Sequence, residues 1–168
     1  MIAISKPGRK TLAGVVGVAA ATILYVVVPA HEGEVLQGYL DPVGVATKCY
    51  GDTTDVVVGR EYSREECLQS LEAQLIAHAE PVLACTPSLQ GHPHQLAAAV
   101  SLAYNIGAKA YCRSTVAKRF NEGKWPEACA AFSMWNKAGG RVLKGLVRRR
   151  ANERNLCEQG LLATEGGE

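Results

Sequence analysis

Beyond a basic opening, MIAISKPGRK, the chain carries an apolar run, TLAGVVGVAAATILYVVVPA, in which residues 11–30 include no charge. A run of that length spans a bilayer as a helix. Lys6, Arg9 and Lys10 ahead of it favour the cytoplasmic side, which places residue 31 onward outside. Its first half is mostly Ala, Gly and Val, so the anchor is weak. A cleavable signal peptide is the competing reading, with Val28-Pro29-Ala30 as a small-residue exit. Cleavage there leaves Glu32 as the second residue of a loose terminus, so an uncleaved anchor is the preferred expectation.

The pattern then changes. From Tyr39 to Ser63 short runs of Val, Thr and Tyr are punctuated by Gly44, Gly51 and Gly59, which predicts a small antiparallel sheet of two or three strands. Ser63-Arg64-Glu65-Glu66 fits a capping box, and Cys67, Leu68, Leu71, Leu75 and Ile76 follow at helical spacing, predicting a helix from Arg64 toward Val82. An Ala-rich buried helix is expected over Pro93 to Asn105, with Gly107 just past its end. Further helices are predicted over Ser114 to Asn121, from Trp125-Pro126 onward and over Val142 to Cys157, with a break at Gly139-Gly140 and a frayed tail, LLATEGGE. The expected fold class is α+β, mainly helical with a small antiparallel lobe. Residues 1–30 form an anchor segment and residues 31–168 one domain.

The formal charge of +2 is too small to argue for nucleic acid, and the late basic cluster RVLKGLVRRR does not spread along a face. Six cysteines lie beyond the apolar run without a C-x-x-C pair or a Cys/His ladder, so disulfides in an oxidising compartment are expected and zinc is not. Their pairing stays open. No glycine-rich phosphate loop or ligand-spaced cluster implies a cofactor or a metal. His92 and His94, around Pro93, read as surface residues.

Chemistry concentrates in HEGEVLQGYLDPVGVATKCYG, residues 31–51, where Glu32, Asp41 and Thr47 follow one another. Glycoside cleavage needs a carboxylic acid to protonate the leaving oxygen and a second group to attack or to activate water. Two acids nine apart are also what a solvated helix end and an Asp-Pro turn supply. The spacing E-x8-D-x5-T, with Y-L-D-P-x-G at the aspartate and T-x-C-Y-G after the threonine, resembles the phage lysozymes of glycoside hydrolase family 24. SLAYNIGAKAYCRSTVAKRFNEGKWPEACAAF and WNKAGGRVLKGLVRRRANERNLC look like the helical half of the same family, so the resemblance runs from His31 to about Gly160.

The resemblance implies a muramidase acting on peptidoglycan, with Glu32 as a general acid kept protonated by partial desolvation, and with Asp41 and Thr47 holding the attacking water. It also implies Tyr104 and Ser114 near the substrate, although either fits a purely structural use. One of Arg148, Arg149 and Arg150 is expected to pair with Glu32. Cys49, where many relatives have glycine, is either an inert buried thiol or part of a disulfide that blocks the cleft and is later exchanged. In soluble relatives the catalytic glutamate ends a short helix packed on the domain. Here only the end of the apolar run can build that helix, so one segment must serve both in lipid and on the domain. The expectation is a signal-anchor-release endolysin: exported by the host secretion machinery, single-pass in the host inner membrane, released to the periplasm, monomeric and without nucleic-acid partners. A periplasmic glycan-binding protein without catalysis and a lytic transglycosylase are the rivals.

Overall fold

The computed structural model describes residues 8–165. Met1–Pro7, with Lys6 of the basic flank, and Gly166–Glu168 of the tail lie outside the described residues. The apolar run does not form one continuous helix. It folds as α1 (Leu12–Val16) and α2 (Val18–Glu32), separated at Gly17 with φ 84° and ψ 158°. Among the described residues no helix is long and apolar enough to cross a membrane. In place of the expected spanning helix the structure shows the run docked on protein: Leu12, Val16, Ala20, Ala21, Leu24 and Val28 point into the same core as the rest of the chain. Their spacing makes one apolar stripe, so the run has a face to bury on protein as well as enough length for lipid.

After α2 come β1 (Val35–Leu40) and β2 (Ala46–Cys49), an antiparallel hairpin in which Tyr39 faces Thr47 and Leu40 faces Ala46. The register slips between Val35 and Tyr39, which bends the ribbon. The expected third strand is reduced to an isolated bridge between Gln37 and Glu61. Gly38 lies against the Val57 carbonyl with no room for a Cβ, which is why the backbone of residues 57–60 can close over β1.

The helix α3 (Arg64–Cys85) begins at the predicted capping box, with Ser63 Oγ accepting from Glu66 N (3.1 Å) and Glu66 Oε2 accepting from Ser63 N (2.8 Å). It runs three residues past Val82, carrying Pro81 within it. A 3-10 turn leads to α4 (Pro93–Ile106), whose residues Gln95 to Ala103 are all buried. This helix is central, packed against α2, α3 and the last helix. Then follow α5 (Ala108–Cys112), α6 (Thr115–Asn121) and α7 (Trp125–Ala131). The break expected at Gly139-Gly140 is a hairpin turn between β3 (Lys137–Ala138) and β4 (Arg141–Val142). The last helix, α8 (Lys144–Glu165), continues well past Cys157, so the tail expected to fray is helical through Glu165.

All six cysteines are paired, as Cys49–Cys67, Cys85–Cys112 and Cys129–Cys157. The bonds tie β2 to α3, α3 to α5 and α7 to α8. Closing loops of 18, 27 and 28 residues stabilises the fold by about 3 kcal/mol each on chain-entropy grounds. Cys49 is therefore a structural half-cystine, held at φ 55° where the strand turns away.

Candidate active site

Glu32 is the last residue of α2, and Gly33, at φ 74°, turns the chain into β1 while its N–H closes the helix on the Pro29 carbonyl (2.9 Å). A left-handed turn there favours glycine. The hairpin then carries the chain from Glu32 out to Asp41 and back through Thr47 to Gly51. At Gly51 a Cβ would stand 3.4 Å from Glu32 Oε2. The ribbon thus carries Asp41 at its turn and Thr47 on its returning strand, and it comes back to Glu32 at Gly51.

Opposite the hairpin, Arg149 Nη1 meets Glu32 Oε1 at 2.6 Å, so of the three candidate arginines the middle one pairs with the glutamate. Arg149 is itself locked, donating from Nε to Glu153 Oε1 (3.2 Å) and from Nη2 to the Ser101 carbonyl (3.2 Å). The Glu153 carboxylate, fully buried, also accepts from Ser101 Oγ (2.7 Å) and Arg150 Nη2 (3.2 Å), and Arg150 reaches Asn105 Oδ1 (3.1 Å). Burial pushes the Glu153 carboxyl up despite Arg150, Ser101 and Arg149, and pushes the Arg150 guanidinium down despite Glu153. Arg150 Nε stands 2.8 Å from Glu153 Oε2 as an ion pair out of hydrogen-bond alignment, and Arg150 Nη1 has no hydrogen-bond partner among the described residues. Buried ion networks are poor stabilisers but fix geometry. Here the network fixes the direction of Arg149. Glu32 is thus ion-paired with one of the three arginines, as expected, and its side chain keeps 20% of its surface exposed.

His31, beside this network, is pushed down to about 4 by burial first and then by the Arg149 and Arg150 charges. Its ring is neutral at pH 7.

Asp41 opens the hairpin turn. Its Oδ1 accepts from the backbone N–H groups of Val43 (3.0 Å) and Val45 (2.8 Å), which orients the carboxylate from its own loop. Thr47 is buried at 5% exposure and donates from Oγ1 to the Val45 carbonyl (3.0 Å), which fixes its rotamer. Tyr104, half-buried on α4, donates to the Tyr50 carbonyl (2.8 Å), and Tyr50 donates in turn to Glu34 Oε1 (3.0 Å). Burial, then the Glu32 and Asp52 charges, push the Tyr104 phenol up. Tyr104 therefore braces the turn that faces Glu32. Ser114 is buried and caps α6, its Oγ accepting from Ala117 N (3.1 Å), so its hydroxyl is occupied by the backbone.

Asp52 went unnoticed in the sequence. It is buried beside Gly51, where burial opposes its charge. The Ser70 hydroxyl (2.5 Å), Thr54 N (2.8 Å) and Lys48 (3.6 Å) outweigh that and hold its carboxyl below the usual range, and Gln74 Nε2 donates to it as well (3.1 Å). The effect is to pin the end of β2 onto α3. An aspartate after Y-G in a turn-rich segment carries no local sign of that burial; Glu153, on the charged α8, carries none either.

Residues 29–153 match the family described as Phage lysozyme. The chain is 34% identical over 158 residues to a SAR-endolysin of Enterobacteria phage P21, covering 89% of this chain and 94% of that one. Its fold is similar to that of the active form of the P1 phage endolysin Lyz, with a TM-score of 0.76 at 23% identity over 83% of this chain and 84% of the other. It is also similar to the muramidase domain of SpmX from Asticaccaulis excentricus, with a TM-score of 0.71 at 30% identity over 84% of this chain and 96% of that one.

Proposed function

The chain belongs to the phage lysozyme family, and from that premise we propose that this peptidoglycan-degrading endolysin hydrolyses the β-1,4 bond between N-acetylmuramic acid and N-acetylglucosamine. Glu32 protonates the leaving oxygen, while Asp41 and Thr47 position the attacking water. The observation that carries this reading is the Glu32–Arg149 pair at 2.6 Å, at the mouth of a hairpin that presents Asp41 and Thr47 from the same ribbon. Arg149 holds the Glu32 carboxyl in place between turnovers, and Glu32 takes up a proton to act as acid. Tyr104, bonded to the Tyr50 carbonyl, keeps the turn at Gly51 against it. Tyr104 and Ser114 lie closer to a bracing role than to sugar contact.

The same reading extends to the N-terminal segment. Residues 1–30 are a signal anchor that the host secretion machinery places in the inner membrane, with the muramidase domain, residues 31–168, in the periplasm. In lipid the backbone must satisfy itself, so the break at Gly17 has to close into one straight helix. On release the segment bends at Gly17 and buries Leu12, Val16, Leu24 and Val28 on the domain, which carries Glu32 to Arg149. Two things support this: the uncharged stretch over residues 11–30, and the SAR-endolysin character of the phage P21 relative. Cleavage after Ala30 would strip those side chains from the core, which speaks for a retained segment.

Digestion of purified wall by wild-type and Glu32→Gln protein, with mass analysis of the products, tests the chemistry. Reducing-end muropeptides should appear with the wild type, and the variant should be slower by at least about a hundredfold while keeping its fold. Anhydro-sugar products would instead identify a lytic transglycosylase, and an indifferent variant a glycan-binding protein.

A further inference from the structure

Two carboxylates on α3 serve the N-terminal segment. Glu72 Oε1 accepts from the backbone N–H of Leu12 (3.2 Å), in the first turn of α1, where a helix leaves its own N–H groups unpaired. The Tyr25 phenol, midway along α2, interacts with the same carboxylate. Two turns further along α3, Glu80 Oε1 pairs with Lys10 Nζ at 2.6 Å. Glu72, Ile76 and Glu80 follow at four-residue steps and so share one face of α3. Arg9 and Lys10 line the cavities that the two carboxylates border. Among the described residues, every side-chain bond of Glu72 and Glu80 goes to residues 10–25.

We propose that Glu72 and Glu80 form a latch that closes on the far end of the segment once it has left the lipid entirely, and that holds the released enzyme against reinsertion. The inference rests on the signal-anchor reading above and gives the withdrawn segment its receiving site. A straight helix over residues 12–32 puts Leu12 about 30 Å from Glu32, across the bilayer from α3. Neither Leu12 nor Lys10 can then reach its carboxylate. Residue 30 emerges first and residues 10–12 last, so partial withdrawal leaves both out of reach. Closure therefore follows only complete release. Glu72 carries the greater part, because it is half-buried and offers a charged acceptor to a helix-terminal N–H. Lys10 and Glu80 are 70% and 44% exposed, and such surface pairs contribute little.

The test mixes purified full-length protein with phosphatidylcholine vesicles and measures the bound-to-free ratio by sedimentation. These vesicles carry no net charge, so a lost carboxylate does not alter attraction to their surface, and the variants leave the segment itself unaltered. Glu72→Ala should raise the ratio about tenfold over wild type, the size expected for one hydrogen bond to a charged group. Glu80→Ala should raise it less. Ser63→Ala removes the cap of the same helix without touching the segment and should partition as wild type does. An unchanged ratio in Glu72→Ala overturns the proposal, and so does an equal rise in Ser63→Ala, which would mark general loosening of α3. If Glu72→Ala misfolds, Glu72→Gln, which keeps an acceptor and loses the charge, should shift the ratio in the same direction; no shift refutes the latch. Hydrogen exchange on the soluble protein gives a readout free of lipid. The Leu12 to Val16 amides should exchange about tenfold faster in Glu72→Ala while those of α4 keep their protection, and an unchanged rate overturns the latch. Should the wild type neither bind vesicles nor be retained by cell membranes, the signal-anchor reading fails, and exchange at Leu12 to Val16 still judges whether Glu72 clamps the segment.

Discussion

Arg149 has three jobs that only a guanidinium can combine: it meets Glu32 from Nη1, Glu153 from Nε and the Ser101 carbonyl from Nη2. A lysine ammonium lacks the planar fork to span these acceptors, so the position of the acid depends on this residue type and not just on its charge. The same cluster makes His31 a pH-sensitive element. Its ring is held neutral, down to about 4 from an ordinary 6.5, by burial and the Arg149 and Arg150 charges. The unfolded chain therefore takes up a proton at higher pH than the folded one. The stability that His31 contributes is complete above pH 6.5, drains away as pH falls toward 4 and changes no further below that. Thermal melts across this window should show a steeper fall in Tm for the wild type than for His31→Gln; parallel curves would contradict the assignment.

At the scale of elements, the N-terminal segment is governed by one glycine. Gly17 joins α1 to α2 at φ 84°, ψ 158°, and no heavy atom stands within 4 Å of where its Cβ would be. The cost of a side chain there is therefore one of backbone conformation alone. Gly17→Ala should lower the stability of the docked form by about 1–3 kcal/mol and favour the straight helix that lipid requires. Urea denaturation should report the first effect. Fractionation after membrane depolarisation should report the second, as a larger share of protein retained in the membrane. An unaltered denaturation midpoint would mean that the bend at Gly17 is not needed for docking. The exposed side of the segment mixes Gly14, Ala19 and Thr22 with the apolar Val18 (74%), Tyr25 (38%) and Val26 (67%), so the docked segment keeps apolar surface toward water.

For the whole molecule the docked segment is part of the core and no appendage. Leu12, Leu24 and Val28 have no exposed surface and Val16 has 5%; burying such side chains contributes about 1.5–3 kcal/mol each, comparable in sum with the net stability of a domain. Deleting residues 1–30 should leave a chain that melts far below the full-length protein and clears wall poorly, measured by circular dichroism and turbidity loss. A truncated protein as stable and active as the whole would separate the acid's positioning from the segment.

Much of this was legible in the sequence because it is local. The capping box at Ser63 and the glycine after α4 specify their elements through backbone hydrogen bonds within a few residues, whereas the sheet expected over residues 39–63 begins earlier, at Val35, because β1 pairs back onto β2 from the end of α2. The E-x8-D-x5-T spacing could be read because a single hairpin spans it. Other features depended on how distant elements meet. Which of Arg148, Arg149 and Arg150 faces Glu32 is set by the rotation of α8 against α4. The burial of Asp52 follows from α3 lying beneath β2, and the cysteine pairing from how β2, α3, α5, α7 and α8 come together. Hydrophobicity along residues 11–30 determined that the segment must leave water, but not whether it leaves into lipid or into protein. Both are low-dielectric refuges for the same side chains, and only the apolar surface offered by α3 and α4 in the folded chain decides for the second.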